Sequence, residues 1–208
     1  MSTITDCICR YLNWFQGKSA SVTGTALLRL KARCLGIELG EGVRCWGKVH
    51  LSRHSGSRIE IGNNVSVVSS SQRCTSSSIY APTKFKTLSR QASIVVDDGV
   101  GLNGTSITAR TKSIKIGAET MVAPNVVIMD SDFHVLWPPE GRVLHPAFET
   151  DADVLIGKNV WIGSGSMILK GSRVGDNSVI AAGSVVTGDI PANVLAGGVP
   201  ARVIRSLP

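Results

Sequence analysis

The sequence predicts an all-β fold, a parallel β-helix of stacked triangular coils, on three observations. Aliphatic residues recur at every sixth position, Gly, Asn and Asp fill the places between them, and aromatic residues make up only 5% of the chain. Stepping by six from Ile156 lands on Ile162, Ile168, Val174, Ile180 and Val186, and stepping from Ile116 lands on Val122 and Ile128. A period of six matches neither an α-helix, at about 3.6, nor an amphipathic strand, at about 2. It matches a short flat strand, a tight turn and the next strand, with each aliphatic stacked on its equivalent one coil away. Gly follows the aliphatic directly at Ile61, Ile116, Ile156, Ile162 and Val174. Segments such as Gly157-Lys158-Asn159 and Gly175-Asp176-Asn177 supply turn residues that accept positive φ or bond their own backbone. Ile156 and Val174 stand 18 residues apart, which is one coil of three strands.

Weaker ladders run upstream through Leu39, Cys45 and Leu51, through Ile61 and Val67, and through Val96, Leu102 and Thr108. Where the count fails, chain is looped out, and two excursions are expected, at about 69–92 and 129–153. Loops leaving a rigid solenoid are where function concentrates. Residues 1–36 lack the repeat. Leu27, Leu28, Leu30 and Lys31, in a run with few breakers, predict a short helical cap of one or two helices. The coil domain then occupies 37–205, closing near Pro191 to Pro200 with Val203-Ile204 packed on the last coil.

The formal charge of +7 favours anionic partners. The basic residues are nevertheless dispersed without an aromatic-basic stacking pattern, so no nucleic-acid partner is expected. Cys7, Cys9, Cys34, Cys45 and Cys74 are odd in number and contain no C-x-x-C, which reads as reduced thiols. No metal is expected, because His50, His54, His134 and His145 are too scattered for a zinc set. No signal peptide or membrane span is read, and the expected address is cytoplasmic.

From Ile116 to Arg205 the chain closely resembles the hexapeptide-repeat acyltransferases, in particular the sugar O-acetyltransferases related to maltose and galactoside acetyltransferase and their polysaccharide-modifying members. The residues that carry the resemblance are Val160-Trp161-Ile162-Gly163, Val174 to Ile180, Ala182 to Thr187, and Ala196 to Arg205. The resemblance implies a left-handed helix, a homotrimer, and acetyl-CoA as acyl donor in a groove between neighbouring prisms. By similarity Ser164, Ala182, Thr187, Gly188, Arg202 and Arg205 fall on the CoA-contacting positions. Gly188 stands where the family often has lysine, so a contact there must use backbone.

A sugar hydroxyl needs a base to remove its proton as it attacks a thioester, and histidine suits that work near neutral pH. His134, in Asp130-Ser131-Asp132-Phe133-His134, sits where the similar enzymes carry their catalytic histidine. It falls about one residue later than the galactoside-type pattern and looks like the polysaccharide-directed form. His145 is the rival in the same excursion, and His50 and His54 read as surface groups. Asp132 or Asp130 is placed to hold the imidazole so that Nε2 is free. On the acceptor side the candidates are Asn103, with a turn role as the alternative, Arg142, with a solvated role as the alternative, and Trp161 at a prism corner near the acceptor or the thioester, with a purely structural role as the alternative. The implied activity is acetyl transfer to a hydroxyl of a sugar or surface-polysaccharide precursor. Transfer to an amino sugar is the alternative, and a noncatalytic assembly protein a further one. A basic cap (Arg10, Lys18, Arg29, Lys31, Arg33) suits peripheral contact with the inner membrane surface.

Overall fold

The computed structural model describes residues 4–208, with one α-helix followed by twenty-one short strands and a 3-10 turn at Phe148–Thr150. The cap is one helix, α1 (Ile4–Leu35), not two. Its last turns bury Leu28 and Ala32 against the first coil. Gly24 lies so close to Cys45 and Gly47 that a Cβ there would meet the Cys45 carbonyl oxygen at 2.6 Å. No described helix is long and apolar enough to cross a membrane.

The strands then wind into three parallel faces, each strand pairing with the one three places on. The first face holds β1 (Glu38–Leu39), β4 (Arg58–Ile61), β7 (Ser93–Val96), β10 (Ser113–Ile116), β13 (Val154–Ile156), β16 (Arg173–Val174) and β19 (Asp189–Ile190). The second holds β2 (Arg44–Trp46), β5 (Ser66–Val68), β8 (Gly101–Asn103), β11 (Met121–Val122), β14 (Trp161–Ile162), β17 (Val179–Ile180) and β20 (Val194–Gly198). It is closed by β21 (Ala201–Ser206), which folds back antiparallel and covers the open edge. The third holds β3 (His50–Ser52), β6 (Lys84–Thr87), β9 (Ser106–Ala109), β12 (Val127–Met129), β15 (Met167–Ile168) and β18 (Val185–Val186).

The expected ladders are the register of these faces. Leu39, Ile61, Val96, Ile116, Ile156, Val174 and Ile190 stack on the first. Cys45, Val67, Leu102, Val122, Ile162, Ile180 and Ala196 stack on the second. Leu51, Phe85, Ile107, Ile128, Ile168 and Val186 stack on the third. Burying each Val, Leu, Ile or Phe that is fully enclosed in these ladders contributes ~1.5–3 kcal/mol. At the corner between first and second faces, Asn159, Asn177 and Asn193 all adopt positive φ. Asn159 Nδ2 donates to Asn177 Oδ1 and Asn177 Nδ2 to Asn193 Oδ1, both at 3.0 Å.

Three expectations need correction. The third-face rung is Ile107, not Thr108, because the corner at Gly104 (φ +52) turns in one residue fewer. A Cβ at Gly104 would meet Ile79 at 2.6 Å, so the tight corner also seats the nearby loop. The first excursion is shorter than 69–92: Lys84–Thr87 returns to the third face and buries Phe85 completely. Phe85 escapes a sequence reading because lysines flank it, yet the alternation of a strand sends both lysines outward. Finally, Val203 and Ile204 stay largely exposed, and Ala201 is the residue that β21 buries.

Phe85→Ala is expected to cost about 3–5 kcal/mol in denaturant unfolding. Tyr80→Ala, removing a side chain 85% exposed on the adjoining loop, is expected to change stability by less than about 0.5 kcal/mol.

Candidate functional site

The two excursions leave from opposite edges of the third face. Residues 69–83 connect β5 to β6 at the corner between second and third faces, and residues 130–153 connect β12 to β13 at the corner between third and first.

The first excursion builds one wall of a cleft of about 630 Å³ on the second face. Cys74, Thr75 and Ser76 come from the loop; Asn103, Met121, Trp161, Ser164 and Ala182 come from successive coils. Four residues singled out from the sequence, Asn103, Trp161, Ser164 and Ala182, therefore meet in one place. Gly163 allows two coils to touch here, since a Cβ on it would lie 2.4 Å from the Ala182 nitrogen. Asn103 donates from Nδ2 to the Val122 carbonyl at 2.9 Å, which ties its amide to the next coil. Asn125 was not anticipated: it anchors the loop by accepting from the Tyr80 N–H and donating to the Ser78 carbonyl, both at 2.9 Å. An Asn at positive φ (+64) beside a break in the repeat is the signal that could have marked it.

Cys74 has the unusual chemistry in this cleft. Burial pushes its thiol up, but the backbone N–H groups of Ser77 and Ser76 and the Ser76 hydroxyl outweigh that and hold it below the usual thiol range. Cys45, by contrast, is buried in the core and pushed up to about 11.

The second excursion carries His134, which is exposed. Its Nδ1 lies 3.1 Å from the Arg142 carbonyl oxygen. A carbonyl can only accept, so Nδ1 carries a proton, and in the neutral ring the free lone pair is on Nε2. Neither aspartate performs this task, contrary to the expectation for Asp132 and Asp130. Asp132 is held by Lys170 Nζ at 2.6 Å, and the same Nζ donates to the Thr150 carbonyl. Asp130 is buried and accepts the backbone N–H groups of Arg110, Thr111 and Lys112 at 2.7–3.1 Å. Burial pushes its carboxyl up, those N–H groups pull it down, and Asp151 adds to the rise. Arg142 turns its guanidinium back onto the Leu136 carbonyl, 2.9 Å away, while His145 is exposed and gives its backbone carbonyl to Val135.

The root of this loop is clamped by Arg110, a residue not anticipated from the sequence. Its Nε donates to Asp151 Oδ2 at 3.0 Å with both side chains buried. The guanidinium also lies 4.3 Å from the Phe148 ring centre and 5.6 Å from that of Phe133. One side chain from the preceding coil thus grips the loop's start, at the residue before His134, and its end. A lone Arg closing a strand carries no sequence signature for this.

Thr187, Gly188, Arg202 and Arg205 do not line the cleft. Thr187 and Gly188 follow β18 at the same corner as the His134 loop, and the two arginines sit exposed on β21. His134 is likewise not among the cleft's lining residues, so a single protomer separates the imidazole from the groove.

Comparison with known proteins adds to this geometry. Residues 153–188 match the family described as bacterial transferase hexapeptide (six repeats). Residues 153–188 thus carry hexapeptide repeats of the kind that this family describes. It is 42% identical over 100 residues to galactoside O-acetyltransferase of Escherichia coli, covering 46% of this chain and 45% of that one. Over 117 residues it is 34% identical to the putative lipopolysaccharide biosynthesis O-acetyl transferase WbbJ of the same organism, covering 54% and 60%. The chain spans between 44% and 60% of the length of these and similar curated relatives. In fold it is similar to AntD, an N-acyltransferase from Bacillus cereus solved with dTDP and 3-hydroxybutyryl-CoA. The TM-score is 0.60 at 16% identity, over 86% of this chain and 88% of that one.

Two outcomes follow from the geometry. Alkylation of native protein near neutral pH is expected to label Cys74 with a pH midpoint below that of free cysteine, because the thiolate is the nucleophile. Cys45 should stay unlabelled; peptide mapping by mass spectrometry checks both. Arg110→Met leaves Asp151 a buried charge without its partner, a loss of about 3–5 kcal/mol in denaturant unfolding.

Proposed function

We propose that the chain is an acetyl-CoA-dependent O-acetyltransferase acting on a hydroxyl of a sugar or surface-polysaccharide precursor, with His134 as general base. The observation that carries this reading is the bond from His134 Nδ1 to the Arg142 carbonyl, which leaves Nε2 as a proton acceptor on an exposed, clamped loop. The names of the relatives, galactoside O-acetyltransferase and a lipopolysaccharide O-acetyl transferase, support the acceptor class.

The chemistry runs as a single displacement on the thioester. Nε2 takes the hydroxyl proton as the oxygen attacks the acetyl carbonyl. The tetrahedral adduct then collapses, the C–S bond breaks, and the imidazolium returns its proton to the departing CoA sulfur. Ser164 and Ala182 line a shallow channel suited to the thin pantetheine arm. Arg202 and Arg205 offer paired donors to phosphates, and Thr187 and the Gly188 backbone complete the donor contacts. Asn103, Trp161 and Arg142 are assigned to the acceptor.

The same reading takes the coil as left-handed and the assembly as a homotrimer. Imidazole and cleft lie on opposite edges of the third face, and a ring of copies related by rotation would bring one protomer's loop to its neighbour's cleft. Met121, Trp161, Val179 and Leu195, in register along the outside of the second face, would give that contact an apolar row. The address is cytoplasmic. Of the cap residues invoked for contact with the inner membrane surface, the side chains of Arg10 and Lys18 lie outside the described residues; Lys31 donates to the Val49 carbonyl at 3.2 Å.

His134→Ala is expected to lower acceptor-dependent CoA release by ~10²–10⁴-fold while leaving acetyl-CoA affinity unchanged. Thiol-release kinetics and calorimetry across a sugar panel check this. Unchanged turnover would remove the base assignment, and product formed only on amino sugars would move the reading to N-acyl transfer. Acetyl-CoA should also shield Cys74 from alkylation.

A further inference from the structure

The positive charge of the chain is not spread evenly. Residues 1–90 hold thirteen Lys and Arg against four Asp and Glu; residues 91–208 hold nine against eleven. Part of that charge is gathered at one point on the second face. Arg44 lies 5.7 Å and Arg73 5.1 Å from the ring centre of Trp46, so one indole holds two guanidiniums. Neither arginine has a carboxylate partner among the described residues. Both are exposed, and Trp46 is half-buried.

The register links this pair to the cleft. Arg44 heads an outward row that continues through Ser66 to Gly101, Met121, Trp161 and Val179, and the last four line the cleft. Trp46 heads the parallel row through Val68 to Asn103. Two rungs separate Trp46 from Asn103, ~10 Å at the spacing of paired strands. Arg73 belongs to the loop whose next residue, Cys74, forms the cleft wall.

We propose that Arg44 and Arg73, held by Trp46, form an anion subsite that binds a carboxylate or phosphate on an extended acidic glycan whose reacting sugar lies at Asn103 and Trp161. The planar fork of each guanidinium matches the paired oxygens of such a group. The distance to Asn103 excludes a monosaccharide from filling both places and selects a short anionic oligosaccharide or polymer. A lipid surface asks instead for many loosely held charges on a flat face. Here two cations are held against one ring and aligned with a groove. This inference deepens the acyl-transfer reading and rests on it for the role of the bound glycan as acceptor.

The test titrates full-length protein with hexagalacturonate and with neutral maltohexaose by calorimetry, without acetyl-CoA. The acidic oligosaccharide is expected to bind and the neutral one to bind at least about tenfold more weakly. Replacing both arginines, Arg44→Gln with Arg73→Gln, should weaken acidic binding on the order of tenfold or more. Arg58→Gln removes a charge from the first face, where Arg58 pairs with Glu60, and should leave binding unchanged. Equal weakening by Arg58→Gln would reduce the effect to net charge and overturn the subsite, as would equal affinity for the two oligosaccharides. Cosedimentation with phosphatidylglycerol vesicles that is lost in the double variant, with no oligosaccharide binding, would assign the pair to a membrane instead. Acidic binding that depends on the pair but yields no CoA release with acetyl-CoA present would keep the subsite and reject the acyl-transfer reading.

Discussion

Everything on the surface of this protein is placed by the stacking of one coil on the next. Parallel hydrogen bonds run from each strand to the strand three places on, and the inward aliphatics keep those pairs in register. A slip of one residue would turn an inward rung outward and expose a column of Ile and Val, so the register is held by the burial it secures. The outward residues inherit the same order. Gly101, Met121, Trp161 and Val179 form a line because Leu102, Val122, Ile162 and Ile180 form one behind them.

A scaffold so regular has flat faces, and its binding features arise where the regularity stops. Each excursion is attached by polar groups that the coil leaves available. Asn125 holds the first loop over the second face, and Asp130, Arg110 and Asp151 hold the root of the second. The Arg110 clamp is more than an ion pair, because two phenyl rings cover the guanidinium and keep water from it. Burial of this kind makes the pair costly to break from one side. It also means that the imidazole of His134 is oriented by the loop's own backbone, at Arg142, on a base that the coil makes stiff.

Division of the site between two edges of the prism has a chemical consequence. Ser164, Ala182 and the indole of Trp161 share a groove, while the imidazole stands at another corner. Under the proposed mechanism neither half would transfer an acyl group unaided. Association of copies is then part of the proposed chemistry, and the open cleft of a lone chain is half of a site. The Trp46 cluster stands two rungs above the groove, so the role proposed for it is to hold the acceptor and not to move its proton.

The coil was legible because its determinant is local and repeated: an aliphatic every sixth residue and a Gly or Asn in the turn suffice to write the ladders from Ile116 to Val186. Cleft residues such as Ser164 and Ala182 were marked by the resemblance and not by the period, although their place in the repeat sets the face they occupy. Where the repeat is interrupted, spacing stops informing. Phe85 stands between two lysines, a step of six across the shortened corner lands on Thr108 and not on Ile107, and Asp132 pairs with Lys170 and not with the nearby imidazole. Partners such as Lys170 for Asp132, Asp151 for Arg110 and the Arg142 carbonyl for His134 lie 38, 41 and 8 residues away in the chain. Sequence alone determined the period, and with it the solenoid; only the folded chain decided which polar groups meet across the gaps, because loop contacts depend on distances that no repeat encodes.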